Sequence, residues 1–188
     1  MKTRSILIGV GIVVVAILAW AWSGYNGLIG AREGVDASWA QVQTTYQRRF
    51  DLVPNLVSTV RGAAAFEQQT FTAITQARSA WQGAQTREQQ ISAAQGLDGA
   101  LARLLVTVEN YPQLQATQAF RDLMTQLEGT ENRISTARRD YNETVRGYNI
   151  RVKRFPTNVL AGTFGFEPAE LFESAQGAET APAVNFEQ

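Results

Sequence analysis

The sequence predicts an all-α protein, with an N-terminal transmembrane helix followed by an antiparallel four-helix up-and-down bundle whose first and last helices are long. Three observations carry that expectation. A run from Ile6 to Trp22 holds no charge, apolar residues beyond it recur in steps of three and four, and no stretch alternates as a half-buried strand would. The domains expected are a cytoplasmic N-terminus and anchor over 1–24, a helical bundle over 25–155 and an aromatic, acidic extension over 156–188.

At a rise of about 1.5 Å per residue, the charge-free run reaches about 25 Å, slightly less than a hydrocarbon core of about 30 Å. Trp20, Trp22 and Tyr25 stand at its far end, where interfacial aromatics extend a span. Lys2 and Arg4 precede it and the next charge is Arg32. By the positive-inside tendency the N-terminus is cytoplasmic and the remainder lies outside the cytoplasm. A cleaved signal peptide is the rival, because Ala19-Trp20-Ala21 fits the cleavage pattern. The length of the apolar run, the crowding tryptophans and the missing polar region before the site favour a retained anchor.

The first long helix has the seam Leu28, Val35, Trp39, Val42, Tyr46, Phe50, Val53, Val57 and Val60. Pro54 removes one of its hydrogen bonds, and Gly62 is the expected stop. A second helix places Phe66, Thr70, Ala73, Ala77 and Trp81 on one face and ends near Gly83. The third opens with Thr86-Arg-Glu-Gln89, a capping-box pattern, and continues through Ile91, Ala94, Leu101, Leu104, Val108 and Tyr111. Pro112 is suited to the first turn of the next helix. The fourth seam is the most regular: Phe120, Leu123, Leu127, Glu131, Ile134, Arg138, Tyr141, Val145, Tyr148, Val152 and Phe155, with Glu131 and Arg138 as its polar members. Beyond Phe155-Pro156 an irregular stretch carries Gly162, Gly165, Phe164, Phe166 and Phe172. Pro168 to Phe172 could add one helical turn there, and residues 174–188 read as a mobile tail.

Several function classes are disfavoured by composition. The chain has no Cys and no His, which removes thiolate chemistry, Cys-ligated metals and the commonest general acid/base. No calcium-loop pattern occurs, and neither a metal nor a cofactor is expected. Residues 23–154 carry 15 basic and 12 acidic side chains, a surplus of three, and residues 155–188 carry five acids and no base. So small a surplus, with no stacking module, argues against nucleic acid as a partner. The acids are scattered along faces, so an enzyme is not expected.

Specific motifs now stand out. Glu128-Gly-Thr-Glu-Asn-Arg-Ile134, Ala137-Arg-Arg-Asp-Tyr-Asn142, Tyr148-Asn149, Phe155-Pro-x-Asn158, Phe164-Gly-Phe166 and Pro182-x-Val-x-Phe186 closely resemble the LemA family. Tyr25-Asn26, Trp39 and Arg48-Arg-Phe-Asp-Leu-Val-Pro-Asn-Leu56 match as well, so the likeness spans essentially the full chain. One departure is that Gly27, Gly30 and Gly34 stand where the family pattern usually has bulkier residues. The resemblance implies one N-terminal span and a bromodomain-like four-helix bundle. It further implies bacterial envelope proteins linked with membrane metalloproteases and quality control.

Each polar or aromatic group admits two roles. Arg138, Arg139, Asp140, Tyr141 and Asn142 are either a partner-recognition patch or a register device in which Arg138 pairs with Glu131 or Asp51. A paired, half-buried charge of that kind fixes helix register. Asp51, Pro54 and Asn55 fit a kink with side-chain capping better than an active site, which would need more than one carboxylate. Gly24, Gly27, Gly30 and Gly34 form either a self-association face or a loose hinge. Phe155, Pro156, Asn158, Phe164, Phe166 and Phe172 either cap the open end of the bundle or contact lipid or a partner. Arg146, Arg151, Lys153 and Arg154 precede them and also suit the negative end of a helix. The function expected is therefore a membrane-anchored scaffold or adaptor, as a homo-oligomer or with another envelope protein. A lipid-binding or membrane-shaping protein that uses the aromatic segment is the alternative.

Overall fold

A computed structural model describes residues 2–61 and 68–172. Phe66, Gly62, the tail over 174–188 and the terminal Pro182-to-Phe186 motif lie outside the described residues. Six helices follow in order: α1 (Lys2–Arg61), α2 (Gln68–Gly83), α3 (Arg87–Val108), α4 (Pro112–Gln115), α5 (Gln118–Lys153) and α6 (Thr157–Phe164). No strand occurs among the described residues. The chain divides into two compact units, one of Met1–Val42 with Ala137–Leu171 and one of Gln43–Thr136 with Phe172–Gln188.

In the first unit, α1 begins with a segment apolar on every side. All side chains described from Ile6 to Trp20 are exposed, Val13 at 57% and Leu18 at 63% among them. Leaving such a surface exposed to water is unfavourable, and the segment is long and apolar enough to cross a membrane. From Leu28 onward the helix buries one stripe, through Val35, Trp39 and Val42. Trp39 meets the Tyr141 ring of α5, with centroids 5.2 Å apart. Helix α6 ends on Gly165, whose φ of 72° places it in the left-handed region that glycine enters without a Cβ penalty. The Phe166 amide closes that end by donating to the Ala161 carbonyl at 2.9 Å. Sequence reading placed the extra helical turn at Pro168 to Phe172, and the structure corrects this. The helix forms at 157–164, and residues 166–172 are non-helical because side chains of α5 take up their carbonyls, as described below.

The second unit is built on the later half of α1. Tyr46 and Phe50 each bring their ring centroid within 5.2 Å of Trp81 on α2, and Phe172 stacks on Tyr46 at 6.3 Å. Helices α2 and α3 pack on one another as a hairpin. The turn between them is set by Thr86: its hydroxyl accepts the Gln89 amide while the Gln89 side chain accepts the Thr86 amide. Both halves of the predicted capping box are thus present. The side-chain hydrogen bond from Thr86 also holds the Glu88 carboxyl below its ordinary pKa.

Four sequence expectations shift along the chain. Pro112 opens only the short α4, whereas α5 starts at Gln118 with the Thr117 hydroxyl accepting the Phe120 amide at 3.4 Å. On α2 the buried rungs are Thr70, Phe71, Ile74, Ala77 and Trp81, so Ile74 replaces the half-buried Ala73. On α1 Leu56 is fully buried and Val57 half-buried, and α1 continues through Pro54 to Arg61. On α5 the seam passes through Thr130 and Ala137 rather than Glu131 and Arg138. A helix of 3.6 residues per turn drifts against a strict seven-residue repeat, and the drift here brings the two smaller residues inward. Buried Thr130 stays satisfied by donating to the Leu127 carbonyl at 2.7 Å.

Candidate functional site

Two polar constellations stand out, one in each unit. In the second unit, Arg49 of α1 is 8% exposed, and a guanidinium so deeply buried requires anionic partners. Its Nη1 donates to Asp98 Oδ1 of α3 at 2.8 Å and also meets the Glu131 carboxylate of α5. Tyr46 completes the cluster, with its hydroxyl 3.3 Å from Asp98 Oδ2. One cation thus ties three helices at one level. Glu131, the carboxylate suggested for Arg138, is met by Arg49. Asp51, the other suggested partner, accepts from Gln47 Nε2 at 2.8 Å. The reason is position: Arg49 follows Tyr46 by three residues and shares its inward face, whereas Glu131 reaches in from the rim, its side chain 52% exposed.

Sequence reasoning missed Arg49, Asp98 and Tyr46 as a group. The signal was available, since Arg49 falls on the α1 seam and Asp98 falls in the gap between Ala94 and Leu101.

In the first unit, α5 turns a row of polar atoms towards the extended chain after α6. The Tyr141 hydroxyl donates to the Glu170 carbonyl and the Tyr148 hydroxyl to the Glu167 carbonyl, each at 2.8 Å. Asn149 bonds both backbone groups of Ala169: its Nδ2 donates to the carbonyl and its Oδ1 accepts the amide, both at 2.8 Å. A side-chain amide here plays the part of a neighbouring strand. Burial raises the Tyr148 pKa above the ordinary tyrosine value; Arg32 opposes the shift, and Asp36 and Glu167 add to it. Tyr148-Asn149 and Tyr141 of the sequence motifs are therefore the clasp that secures residues 167–170.

The strap positions α6 against the start of the helical body. Leu160 of α6 lies directly on Gly24 of α1, where an added Cβ would stand 2.7 Å from Leu160 Cδ1. Tyr25 packs between Phe164 and Phe166, with centroids at 4.8 Å and 5.9 Å. Tyr25 is thus drawn into an aromatic cluster, while Trp20 and Trp22 remain exposed. The phenylalanines divide: Phe166 and Phe172 are buried, whereas Phe155 and Phe164 are 76% and 56% exposed. Pro156, joined to Phe155 by a cis peptide bond, and Asn158 are exposed beside them. Arg151 donates to the Gly27 carbonyl at 3.3 Å.

Arg139 and Asp140 are exposed and lie 3.6 Å apart, a pairing of little energetic consequence at the surface. Arg138 and Asn142 are half-buried, and Asp51, Pro54 and Asn55 are exposed. Gly27 and Gly30 have open space where a Cβ would go, and at Gly34 it would make ordinary contact with Thr144 at 3.7 Å. Among the described residues no group of three acidic side chains could hold a metal ion. A cavity of about 480 Å³ in the second unit has Asp51 and Arg48 as its ionisable lining, and a groove of about 690 Å³ between α2 and α3 has Arg103. In neither do two carboxylates converge.

A bare apolar helix segment leading into water-soluble helical packing defines the class, a helical membrane-associated protein with a single candidate span. The chain belongs to the LemA family, whose model matches residues 38–186. It is 32% identical over 193 aligned residues to magnetosome proteins MamQ 1 and MamQ 2 of Paramagnetospirillum magneticum, covering 89% of this chain and 71% of each relative. Protein LemA of Metamycoplasma hominis is 22% identical over 152 residues, 80% of this chain and 69% of that protein.

Proposed function

We propose that the protein is a non-enzymatic scaffold or adaptor, anchored by one span in the bacterial inner membrane, with its helices arranged as an up-and-down four-helix bundle outside the cytoplasm. The observation that carries it is the use made of its buried charge. Arg49, Asp98 and Glu131 bind helices to one another, which supports a body built for shape. Lys2 and Arg4 before the apolar run favour a cytoplasmic N-terminus. The protein acts through contacts with copies of itself or with another envelope protein, and family resemblance adds membrane metalloproteases and quality control to the partner classes.

Extraction of the full chain in a mild detergent, followed by mass determination of the native complex, tests this. The expected result is a mass above that of the monomer, from further copies or a stoichiometric partner. A lone monomer at native expression level would sink the proposal. Protease added outside intact spheroplasts should degrade the body, and full protection would reverse the topology.

A further inference from the structure

Large exposed apolar side chains beyond the span are not spread evenly. Among the described residues after Trp22, Ile29, Ile150, Phe155, Val159, Phe164 and Leu171 belong to the first unit, and Leu105 and Val106 to the second. Exposed apolar side chains gathered in one unit point to a contact surface there. The level at which α1 leaves the hydrocarbon indicates with what. Gly24 and Gly27 follow Trp22 by two and five residues, or about 3 and 7.5 Å along a helix. The polar layer of a bilayer extends about 5–7 Å beyond the hydrocarbon on each side. The two glycines therefore stand at headgroup depth when Ile6 to Trp22 fills the hydrocarbon.

At that level the first unit has a cavity of about 370 Å³, lined by Gly24, Gly27, Leu28, Arg151, Arg154, Phe155, Pro156 and Thr157. Both ionisable groups in the lining are cations. Arg151 is steadied by its bond to the Gly27 carbonyl, and both arginines are exposed. Guanidinium groups match phosphate oxygens in geometry and charge. Gly24 allows α6 to lie close, and Gly27 leaves the floor open, since a Cβ there meets nothing within 4 Å.

We propose that this cavity seats the phosphate-bearing headgroup of an anionic phospholipid, gripped by Arg151 and Arg154, while Phe155, Val159 and Phe164 enter the adjoining acyl layer. Helix α6 is then an interfacial helix, with Phe164 on its lipid side and cations preceding it. The site rests on the membrane anchoring in the function proposed above, and is independent of the scaffold role.

The test uses the full chain in neutral detergent, with phosphatidylglycerol, phosphatidylcholine and inorganic phosphate as probes and native mass spectrometry as the readout. Phosphatidylglycerol should be retained, and the double variant Arg151→Gln, Arg154→Gln should weaken retention about tenfold or more. Gly27→Leu starts from a Cβ that meets nothing within 4 Å and carries its branch into the floor, and should cause a similar loss while melting at or above the parent temperature. Equal retention of phosphatidylcholine, displacement by an equal concentration of inorganic phosphate, or undiminished retention in Gly27→Leu would overturn the site. A second copy occupying the cavity would appear as a dimer that sheds lipid, and would also overturn it. Carbonate-washed membranes distinguish the two levels: a chain that washes off defeats the anchoring, whereas an anchored chain indifferent to lipid charge defeats the headgroup site alone.

Discussion

At the scale of single residues, Arg49 has the largest expected effect. Removing its side chain takes away the guanidinium that Asp98 and Glu131 share and opens a void beside Tyr46. Because Asp98 and Glu131 keep some access to water, with side chains 27% and 52% exposed, the loss is smaller than for a fully buried pair. Arg49→Ala should cost about 2–3 kcal/mol in chemical unfolding. Glu131→Ala should cost less than about 1 kcal/mol, since its carboxylate is already half in solvent. Equal costs for the two would show that the cluster is not centred on Arg49. Tyr148 makes a pH prediction. The folded protein holds its phenolic proton more tightly than the unfolded chain does, so the favourable contribution is complete below about pH 10 and declines as pH rises through the elevated folded pKa. A phenolate also cannot donate to the Glu167 carbonyl. Melting temperature followed from pH 8 to 11.5 should fall more steeply in the parent than in Tyr148→Phe.

Single elements depend on their ends. Helix α3 begins at a reciprocal cap, and Thr86→Ala removes the hydroxyl that accepts the Gln89 amide. A loss of about 1 kcal/mol is expected in thermal or urea unfolding, whereas Thr86→Ser should be nearly neutral. The strap after α6 is held by the Asn149 amide on both sides of Ala169. Asn149→Ala should cost about 1–2 kcal/mol and speed hydrogen exchange at the Ala169 amide, with the α3 amides unaffected. Asn149→Asp keeps the acceptor and loses the donor, so its exchange rate should fall between the two. If Asn149→Ala leaves the Ala169 amide protected, the bridge contributes nothing to the strap.

For the whole molecule, the decisive feature is that α1 begins bare and apolar and ends as a core helix. A charge at the middle of the apolar run tests this directly. Val13→Arg places a guanidinium where insertion costs about 2.5–3.5 kcal/mol. A clear rise in the fraction of protein recovered in carbonate-soluble form is expected, with the melting of the helical body unchanged. Retention of the variant equal to the parent would mean that the segment does not depend on lipid.

The sequence alone determined the all-helical class, the bare apolar segment, the cap at Thr86, the end of α2 at Gly83 and the family. Each rests on local physics, since the 3.6-residue period, side-chain capping and hydropathy are legible within one or two turns of chain. Only tertiary structure decided that Arg49 takes Glu131, that Asn149 bridges Ala169 and that Leu160 settles on Gly24. Those pairs lie from 20 to 136 residues apart in the chain, and which distant groups meet depends on how seams drift and pack. The same reason explains the placement of α6. Gly165 was read only as part of an irregular stretch, and the competition for carbonyls at Glu167, Ala169 and Glu170 was settled by α5 lying alongside.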